Sequence, residues 1–406
     1  MDAFSQEYVG RKFSEFYASP STKIPAPSAI EEREFAFFLF KERIMVRHRS
    51  VANLNGLRNL LCEAKPSDVY YSCAYYGNPE ADMDKKGWLG ADLVFDIDAD
   101  HIPTSCDKVH DEWTCGKCGF SGKGVTPEIC PACEGQKFDA RTWPCERCIG
   151  SAREETTKLI DMLEKDFGFS DSELRVFFSG HRGYHVHVET EAVRTLDAMA
   201  RKEIVDYVYG LGLTGLEERK KKSSEHTFSL HDFGWNKRIK KGIQKFILNA
   251  TEEDLRNVGI KQVKAIRLNK DAIANRYVEE NRWTLVKGVG TETWLKIARH
   301  VKELESANVD TVVTTDIHRL IRMNGTLHGK TGLKKVEFPA ADLAKFDAFT
   351  EAVAFKEGKA KVSVSCAPEF RLGETTFGPY TNAKVELPTA AAVLLICKGR
   401  AEAVKD

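Results

Sequence analysis

Three C-x-x-C pairs crowd one short segment of the chain, and they constrain its folding more than any other feature. The pairs are Cys115/Cys118, Cys130/Cys133 and Cys145/Cys148. The residues around them are rich in glycine, lysine and proline and poor in aliphatic side chains. Such a segment cannot build an apolar core, so bound metal is needed to hold it together.

Each C-x-x-C pair can present two thiolates to one tetrahedral zinc ion. Cys106 and His110 lie just before the pairs and complete a second set of four ligands. The preferred sets are Cys115, Cys118, Cys130 and Cys133 for one ion, and Cys106, His110, Cys145 and Cys148 for the other. These preferred sets rest on spacing alone, so swapped pairings remain open. The alternative to zinc binding is a redox-active dithiol.

Length and charge set limits on the class of protein. The 406 residues allow two or three domains, or one elaborated domain. Lys plus Arg and Asp plus Glu each number 60, so a nucleic-acid partner would need a local basic patch. No apolar run approaches the ~18 residues of a membrane span, and the first residues lack a signal-peptide pattern. We expect a cytoplasmic, nucleoid-associated protein whose cysteines bind metal.

A run from Ala91 to Asp100 predicts a strand with paired carboxylates. Apolar residues alternate with Asp96 and Asp98, which therefore share one face at a spacing of roughly 6.6 Å. Two carboxylates held this close repel each other unless a cation lies between them. Magnesium or manganese is the expected ion, and two such ions are the usual apparatus of nucleotidyl transfer. An acidic strand end leading into a loop is the alternative.

A predicted strand–turn–strand over residues 174–189 carries a second group of polar side chains. Its turn is Ser179-Gly180-His181-Arg182-Gly183, and His185 and His187 share one face of the returning strand. A hydroxyl, backbone amides and a guanidinium together suit a triphosphate. A polar hairpin with satisfied histidines is the alternative.

A third group follows a predicted strand over Val309–Thr315. Asp316 ends that strand, and a basic, glycine-rich segment comes next, with Arg322, His328 and Lys330. A carboxylate beside a phosphate cradle would complete the requirements of two-metal nucleotidyl transfer onto a 3′-hydroxyl. Alone, this stretch could equally be a solvated loop.

Other patterns outline the organisation of the chain. Ser28 predicts the cap of a helix over Glu31–Phe38, and Pro388 predicts the start of a final helix. Helical periodicity dominates from Glu191 to about Ala307. Within it, residues 219–245 mix basic and aromatic side chains that could grip nucleic acid, although a solvated loop is favoured.

These motifs, in this order, resemble the catalytic small subunit of archaeal and eukaryotic DNA primase. The resemblance covers nearly the whole chain, and the histidines of the turn and returning strand give it an archaeal form. The motifs that carry it are Arg33-Glu34-Phe35, Ile44-Met45-Val46-Arg47, Val94-Phe95-Asp96-Ile97-Asp98, Ser179-Gly180-His181-Arg182-Gly183-Tyr184-His185, Asp316-Ile317-His318-Arg319-Leu320-Ile321-Arg322 and Leu327-His328-Gly329-Lys330-Thr331-Gly332.

The resemblance implies a role for each motif. Asp96, Asp98 and Asp316 would bind Mg²⁺ or Mn²⁺. The nucleotide's phosphates would contact Arg47, Ser179, Arg182, His185, Arg322, His328 and Lys330. The activity implied is de novo synthesis of short primers on single-stranded DNA from nucleoside triphosphates. The implied partner is a large subunit that carries an iron–sulfur cluster, in a heterodimer.

The implied fold is a mixed α/β catalytic module with an RRM-like sheet, an inserted zinc-binding knob and a helical subdomain. We expect a discontinuous catalytic domain of residues 1–105, 150–190 and 308–406. The knob would be 106–149 and the helical subdomain 191–307. The simplest family pattern has one zinc site, resembling the set with Cys145 and Cys148, so the other set reads as an inserted ribbon.

Two other functions are compatible with parts of this pattern. A polymerase of the same superfamily could extend existing primers in DNA repair without starting chains. A zinc-ribbon scaffold without catalysis would explain the cysteines but not the carboxylates and basic segments. Metal-dependent incorporation of nucleotides separates the enzymes from the scaffold.

Overall fold

The computed structural model describes residues 1–40, 44–213, 233–280 and 286–405 and has a mixed α/β fold. Its strands are β1 Phe35–Leu39, β2 Met45–Arg49, β3 Pro66–Ser72, β4 Ala74–Tyr76, β5 Trp88–Ala91, β6 Leu93–Asp98, β7 Glu112–Cys115, β8 Ser121–Lys123, β9 Phe138–Arg141, β10 Leu174–Phe178, β11 Gly183–Val188, β12 Leu320–Arg322, β13 Val336–Phe338, β14 Lys359–Ala367, β15 Phe370–Leu372, β16 Thr375–Phe377, β17 Tyr380–Pro388 and β18 Ala401–Ala403. Its α-helices are α1 Ala3–Ala18, α2 Leu54–Ala64, α3 Glu146–Lys165, α4 Glu191–Arg194, α5 Ala198–Val208, α6 Gly234–Asn249, α7 Glu252–Asn257, α8 Val263–Leu268, α9 Lys270–Ala272, α10 Thr291–Glu305, α11 Thr311–Thr315, α12 Ala348–Glu351 and α13 Thr389–Cys397.

The chain forms two compact units. The first comprises Met1–Thr157, Ser170–Arg201 and Val309–Asp406, and the second comprises Lys158–Phe169 and Lys202–Asn308. Every residue predicted to bind metal or nucleotide belongs to the first unit. Among the described helices, none is both long and apolar enough to cross a bilayer.

Two four-stranded antiparallel sheets form the centre of the first unit. One has the strand order β12-β3-β1-β2 and the other β13-β10-β11-β6. The helix predicted over Glu31–Phe38 is wrong, because only a 3₁₀ turn, Ile30–Glu32, precedes strand β1. Phe35 and Phe37 are fully buried between the neighbouring strands, and this tertiary burial outweighs the local capping signal.

The predicted strand–turn–strand is confirmed as β10 and β11. Strand β11 pairs on its other side with β6, so that His185 lies opposite Asp96 and Gly183 opposite Asp98. A Cβ atom at Gly183 would stand 2.2 Å from the carbonyl oxygen of Ile97. Only glycine permits this close approach, which brings the turn against the carboxylates of β6.

The strand predicted over Val309–Thr315 is wrong, because residues 311–315 form the short helix α11. Asp310 caps this helix, and its carboxylate accepts the N–H groups of Val312 and Val313 at 2.8 and 3.3 Å. The β-branched residues favour a strand locally, but the cap satisfies the first backbone donors of a helix instead. The backbone N–H of Asp310 donates to the carbonyl of Asp96 at 2.8 Å, which attaches α11 to strand β6.

The remaining elements agree with several of the predicted helices. Helix α13 begins after Pro388, is apolar throughout and packs against the sheet β17-β14-β18. In the second unit, Thr251 and Asp254 form a capping box at the start of α7. The predicted basic segment 219–245 is described only from residue 233, where it forms most of the basic helix α6.

Candidate functional site

The paired carboxylates lie on strand β6, as predicted. Phe95 and Ile97 are buried, whereas Asp96 and Asp98 are partly exposed on the opposite face. The pKa of Asp96 is raised to about 7, mainly by burial and additionally by the negative charges of Asp98 and Asp310. Burial also raises the pKa of Asp98, although Arg182 and other cations oppose this. Because proximity disfavours both negative charges, this donor set suits a divalent cation.

Asp310, which the sequence analysis did not select, is the third carboxylate near Asp96. Its peptide is hydrogen-bonded to Asp96, and its charge contributes to the raised pKa of that residue. Asp316 lies at the other end of α11, where its carboxylate accepts the N–H of His318 at 2.9 Å. Asp310 and Asp316 are the two caps of helix α11, so more than one helical turn separates them.

The predicted three aspartates do not form a compact ligand group in this structure. The described part of the chain has two sets of three or more side chains whose ligand atoms all lie within 4.8 Å of one another. Both sets are made mainly of cysteines. Asp98 instead accepts the backbone N–H of Asp100 at 2.9 Å.

The turn between β10 and β11 is held by its own serine. The hydroxyl of Ser179 accepts the N–H groups of His181 and Gly183, both at 3.3 Å. Gly180 has a φ of 86°, in the left-handed region that glycine adopts without strain. The turn is therefore buried and held by internal hydrogen bonds.

Arg182 is buried and already paired with carboxylates. Its guanidinium contacts both oxygens of Asp111, at 3.0 and 2.8 Å, and forms an ion pair with Asp100. The Asp111 carboxylate also accepts the N–H of Trp143 and contacts Nδ1 of His110, both at 2.8 Å. Asp111 therefore links the arginine of the turn to a residue of the cysteine-rich segment, a connection that spacing did not predict.

His185 and His187 lie side by side on β11, on the face of the sheet that carries Asp96. Nε2 of His185 is 3.5 Å from a carboxylate oxygen of Asp96, and burial is the first cause that holds the pKa of His185 well below its usual value. Lys335, not selected from the sequence, is fully buried beside them. Its ammonium group donates to the carbonyl of Arg322 at 2.9 Å and lies 3.5 Å from Nε2 of His187.

The basic segment after β12 borders the same turn. The His328 ring stacks on that of His181, with centroids 5.1 Å apart, and its Nδ1 accepts the N–H of Lys330 at 3.1 Å. Arg322 is buried and paired with Asp68, whereas Lys330 is exposed. Arg47 lies on β2, and its Nε donates to Glu34 at 3.0 Å.

The eight predicted ligands of the cysteine-rich segment form two clusters with the predicted pairing. Thiols that share a tetrahedral zinc with 2.3 Å bonds stand about 3.8 Å apart. The observed separations are 3.7 Å for Cys106–Cys145 and Cys118–Cys130, and 3.6 Å for Cys115–Cys133. The geometry fits two metal ions such as zinc, and all eleven cysteines of the chain are free of disulfides.

Comparisons with known proteins identify the family of the chain. A sequence model of the family described as DNA primase small subunit matches residues 140–339. Proteins named DNA primase small subunit PriS are similar over almost their full length. The relative from Nitrosopumilus maritimus is 32% identical over 395 residues, covering 97% of each chain. Relatives from Methanococcoides burtonii and Archaeoglobus fulgidus are 31% and 30% identical, covering 99% and 97% of each chain. The chain therefore belongs to the DNA primase small subunit family, whose role is in DNA replication.

Proposed function

We propose that this chain is a primase catalytic subunit that synthesises short primers de novo on single-stranded DNA by two-metal nucleotidyl transfer. The observation that carries the proposal is the meeting of the β6 carboxylates, the Ser179–Gly183 turn and the basic segment around His328 in one compact unit. The names of the relatives support primase over a repair polymerase that only extends primers.

Asp96, Asp98 and Asp316 would bind the divalent ions, and Asp310 is a second candidate for the third carboxylate. The backbone bond of Asp310 to Asp96 supports this second candidate, as does the effect of its charge on the pKa of Asp96. When bound, Mg²⁺ or Mn²⁺ would supply charge neutralisation and activation of the attacking hydroxyl. Lys335 would limit repulsion among the aspartates, because its positive charge lowers the pKa of Asp96.

The incoming nucleotide's triphosphate would lie against Lys330, His328, His185 and the Ser179 turn, with Arg47 at the rim. Arg322 and Arg182 would also bind the phosphates, and their pairing with Asp68 and Asp111 would hold the guanidinium groups in place. Charge-assisted donors held by buried partners need little rearrangement during the reaction, which is the source of their catalytic effect.

The wider architecture belongs to the same proposal. The sheet β13-β10-β11-β6 would be the RRM-like catalytic sheet, residues 106–149 a zinc-binding knob and residues 191–307 a helical subdomain. The partners would be single-stranded DNA and, as the relatives' names imply, a large subunit, expected to carry an iron–sulfur cluster in a heterodimer.

The test is primer synthesis on single-stranded DNA with labelled nucleotides and Mg²⁺ or Mn²⁺, with and without a supplied primer. Asp98→Asn should abolish both reactions while leaving the circular dichroism spectrum unchanged. A fully active, folded Asp98→Asn protein would overturn the mechanism. Extension without initiation, also in the presence of a large subunit, would point to the repair polymerase instead.

A matched pair of variants identifies the third carboxylate. Asp310→Asn keeps the helix cap, because asparagine caps as well as aspartate, but it removes the charge next to Asp96. Asp316→Asn makes the same chemical change at the other end of α11. We expect loss of Mn²⁺ binding and synthesis from Asp316→Asn only, and the reverse result would assign the role to Asp310.

A further inference from the structure

Lys398 lies at the end of the apolar helix α13, far along the chain from every motif of the site. It is the residue that follows the last helical turn, and its side chain is 8% exposed. Its ammonium group reaches the Ser179–Gly183 turn and donates to Nε2 of His181 at 2.6 Å. The imidazole must be neutral to accept, and burial together with the charge of Lys398 holds the pKa of His181 well below its usual value.

Within the described part of the chain, Lys398 has no carboxylate within ion-pairing distance. The charges of Arg182 and Lys330 lower the pKa of Lys398, whereas Cys397 and Asp111 raise it. Burial is the main reason why the pKa of Lys398 falls to about 7. A buried ammonium among cations is unfavourable unless an anion joins it.

The surroundings identify the kind of anion. The turn that Lys398 contacts lies beside the carboxylates, because Gly183 is opposite Asp98 in the sheet, and the His181 ring that Lys398 contacts is stacked on His328. Three elements distant in sequence, α13, the Ser179–Gly183 turn and the His328 segment, thus direct positive charge or donors to one place beside the carboxylates. An ammonium group with donors left over after one hydrogen bond suits a phosphate oxygen.

We propose that Lys398 binds a phosphate oxygen of the incoming nucleotide's triphosphate, with His181 as the residue that positions its ammonium group. This inference rests on the proposed function, because it places a further ligand in the same nucleotide site.

The first test measures equilibrium binding of fluorescent nucleoside triphosphate and monophosphate to the full chain in the presence of Mn²⁺. Loss of one charge-assisted hydrogen bond predicts that Lys398→Met weakens triphosphate binding roughly 10- to 100-fold. Monophosphate binding should change less than about twofold, and Lys398→Arg should recover most of the triphosphate affinity. Lys345→Met, a change at a highly exposed lysine, is the control and should leave both affinities unchanged.

The second test follows protons. Because burial lowers the pKa of Lys398, binding of a phosphate should raise that pKa and draw protons onto the lysine population, seen by calorimetry in two buffers of different ionisation enthalpy. Lys398→Met should lose that uptake. Equal triphosphate affinity in wild type and a folded Lys398→Met protein would overturn the inference alone. Failure of the wild type to bind triphosphate would instead overturn the proposed function on which it rests.

Discussion

Asp111 joins a ligand of the cysteine-rich segment to the arginine of the Ser179–Gly183 turn, and replacing it tests how strongly the two are coupled. We predict that Asp111→Asn lowers the free energy of unfolding by about 3–5 kcal/mol, the usual effect of breaking a buried ion pair. The ion pair between Asp111 and Arg182 is buried, since Asp111 is 6% exposed and Arg182 is 1% exposed.

The contacts of Asp111 explain the size of this effect. Its carboxylate receives two contacts from Arg182, one from the backbone of Trp143 and one from His110. Asparagine keeps a single acceptor oxygen and turns a pair of N–H donors toward the guanidinium. The variant therefore loses at least one charge-assisted bond, worth about 1.5–3 kcal/mol, and leaves Arg182 with Asp100 as its remaining carboxylate.

The assay is denaturant unfolding in zinc-containing buffer, followed by tryptophan fluorescence. Asp342→Asn is the control, because Asp342 is half-exposed, pairs with an exposed lysine and should change the unfolding free energy by less than about 0.5 kcal/mol. The variant should also release zinc to a chelator faster, since Asp111 orients the His110 ring. An Asp111→Asn protein as stable and as slow to release zinc as the control would refute the coupling.

Three further predictions follow from the same structure. Gly183→Ala should abolish Mn²⁺ binding and synthesis, since its Cβ would push β11 away from β6, whereas Gly150→Ala in α3 should have no such effect because nothing lies within 4 Å of its Cβ. Elemental analysis should find two zinc ions per chain and one after Cys115→Ser; a full complement in that variant would contradict the two-cluster assignment. Finally, although burial alone would raise the pKa of Glu189, its hydrogen bond to His187 and the charges of His187, Arg175 and Arg33 lower that pKa to about 2. The unfolded chain then binds the extra proton first, so stability should fall by about 3 kcal/mol as the pH drops from about 4.5 to 2, and Glu189→Gln should flatten that part of the urea-midpoint curve.

Features that depend on local spacing were predictable from the sequence. Strand β6 follows from alternation, the β10–β11 hairpin from its glycine-bounded turn, and the two cysteine clusters from the C-x-x-C spacing. In each case, the residues that form the feature lie within one strand, one turn or one metal-closed loop. Short-range geometry is therefore enough to place them.

Features that depend on distant contacts were not predictable. The β-branched run before Asp316 favours a strand, and only the cap from Asp310 and its bond to β6 explain why a helix forms. Lys335 and Lys398 look like surface lysines in the sequence, and their burial arises from packing of segments that spacing cannot connect. These residues became candidates only through their neighbours in space.

The two cysteine clusters are nested, and this arrangement has an entropic consequence. One cluster closes the chain between His110 and Cys145, and the other closes a smaller loop, between Cys118 and Cys130, inside it. Closing the inner loop removes about half of the flexible chain from the outer one, which changes the outer closure entropy by only about 0.6 kcal/mol. The inner ribbon can therefore be lengthened, shortened or lost with little effect on the closure entropy of the outer cluster, which is linked to the Arg182 turn through the Asp111 carboxylate.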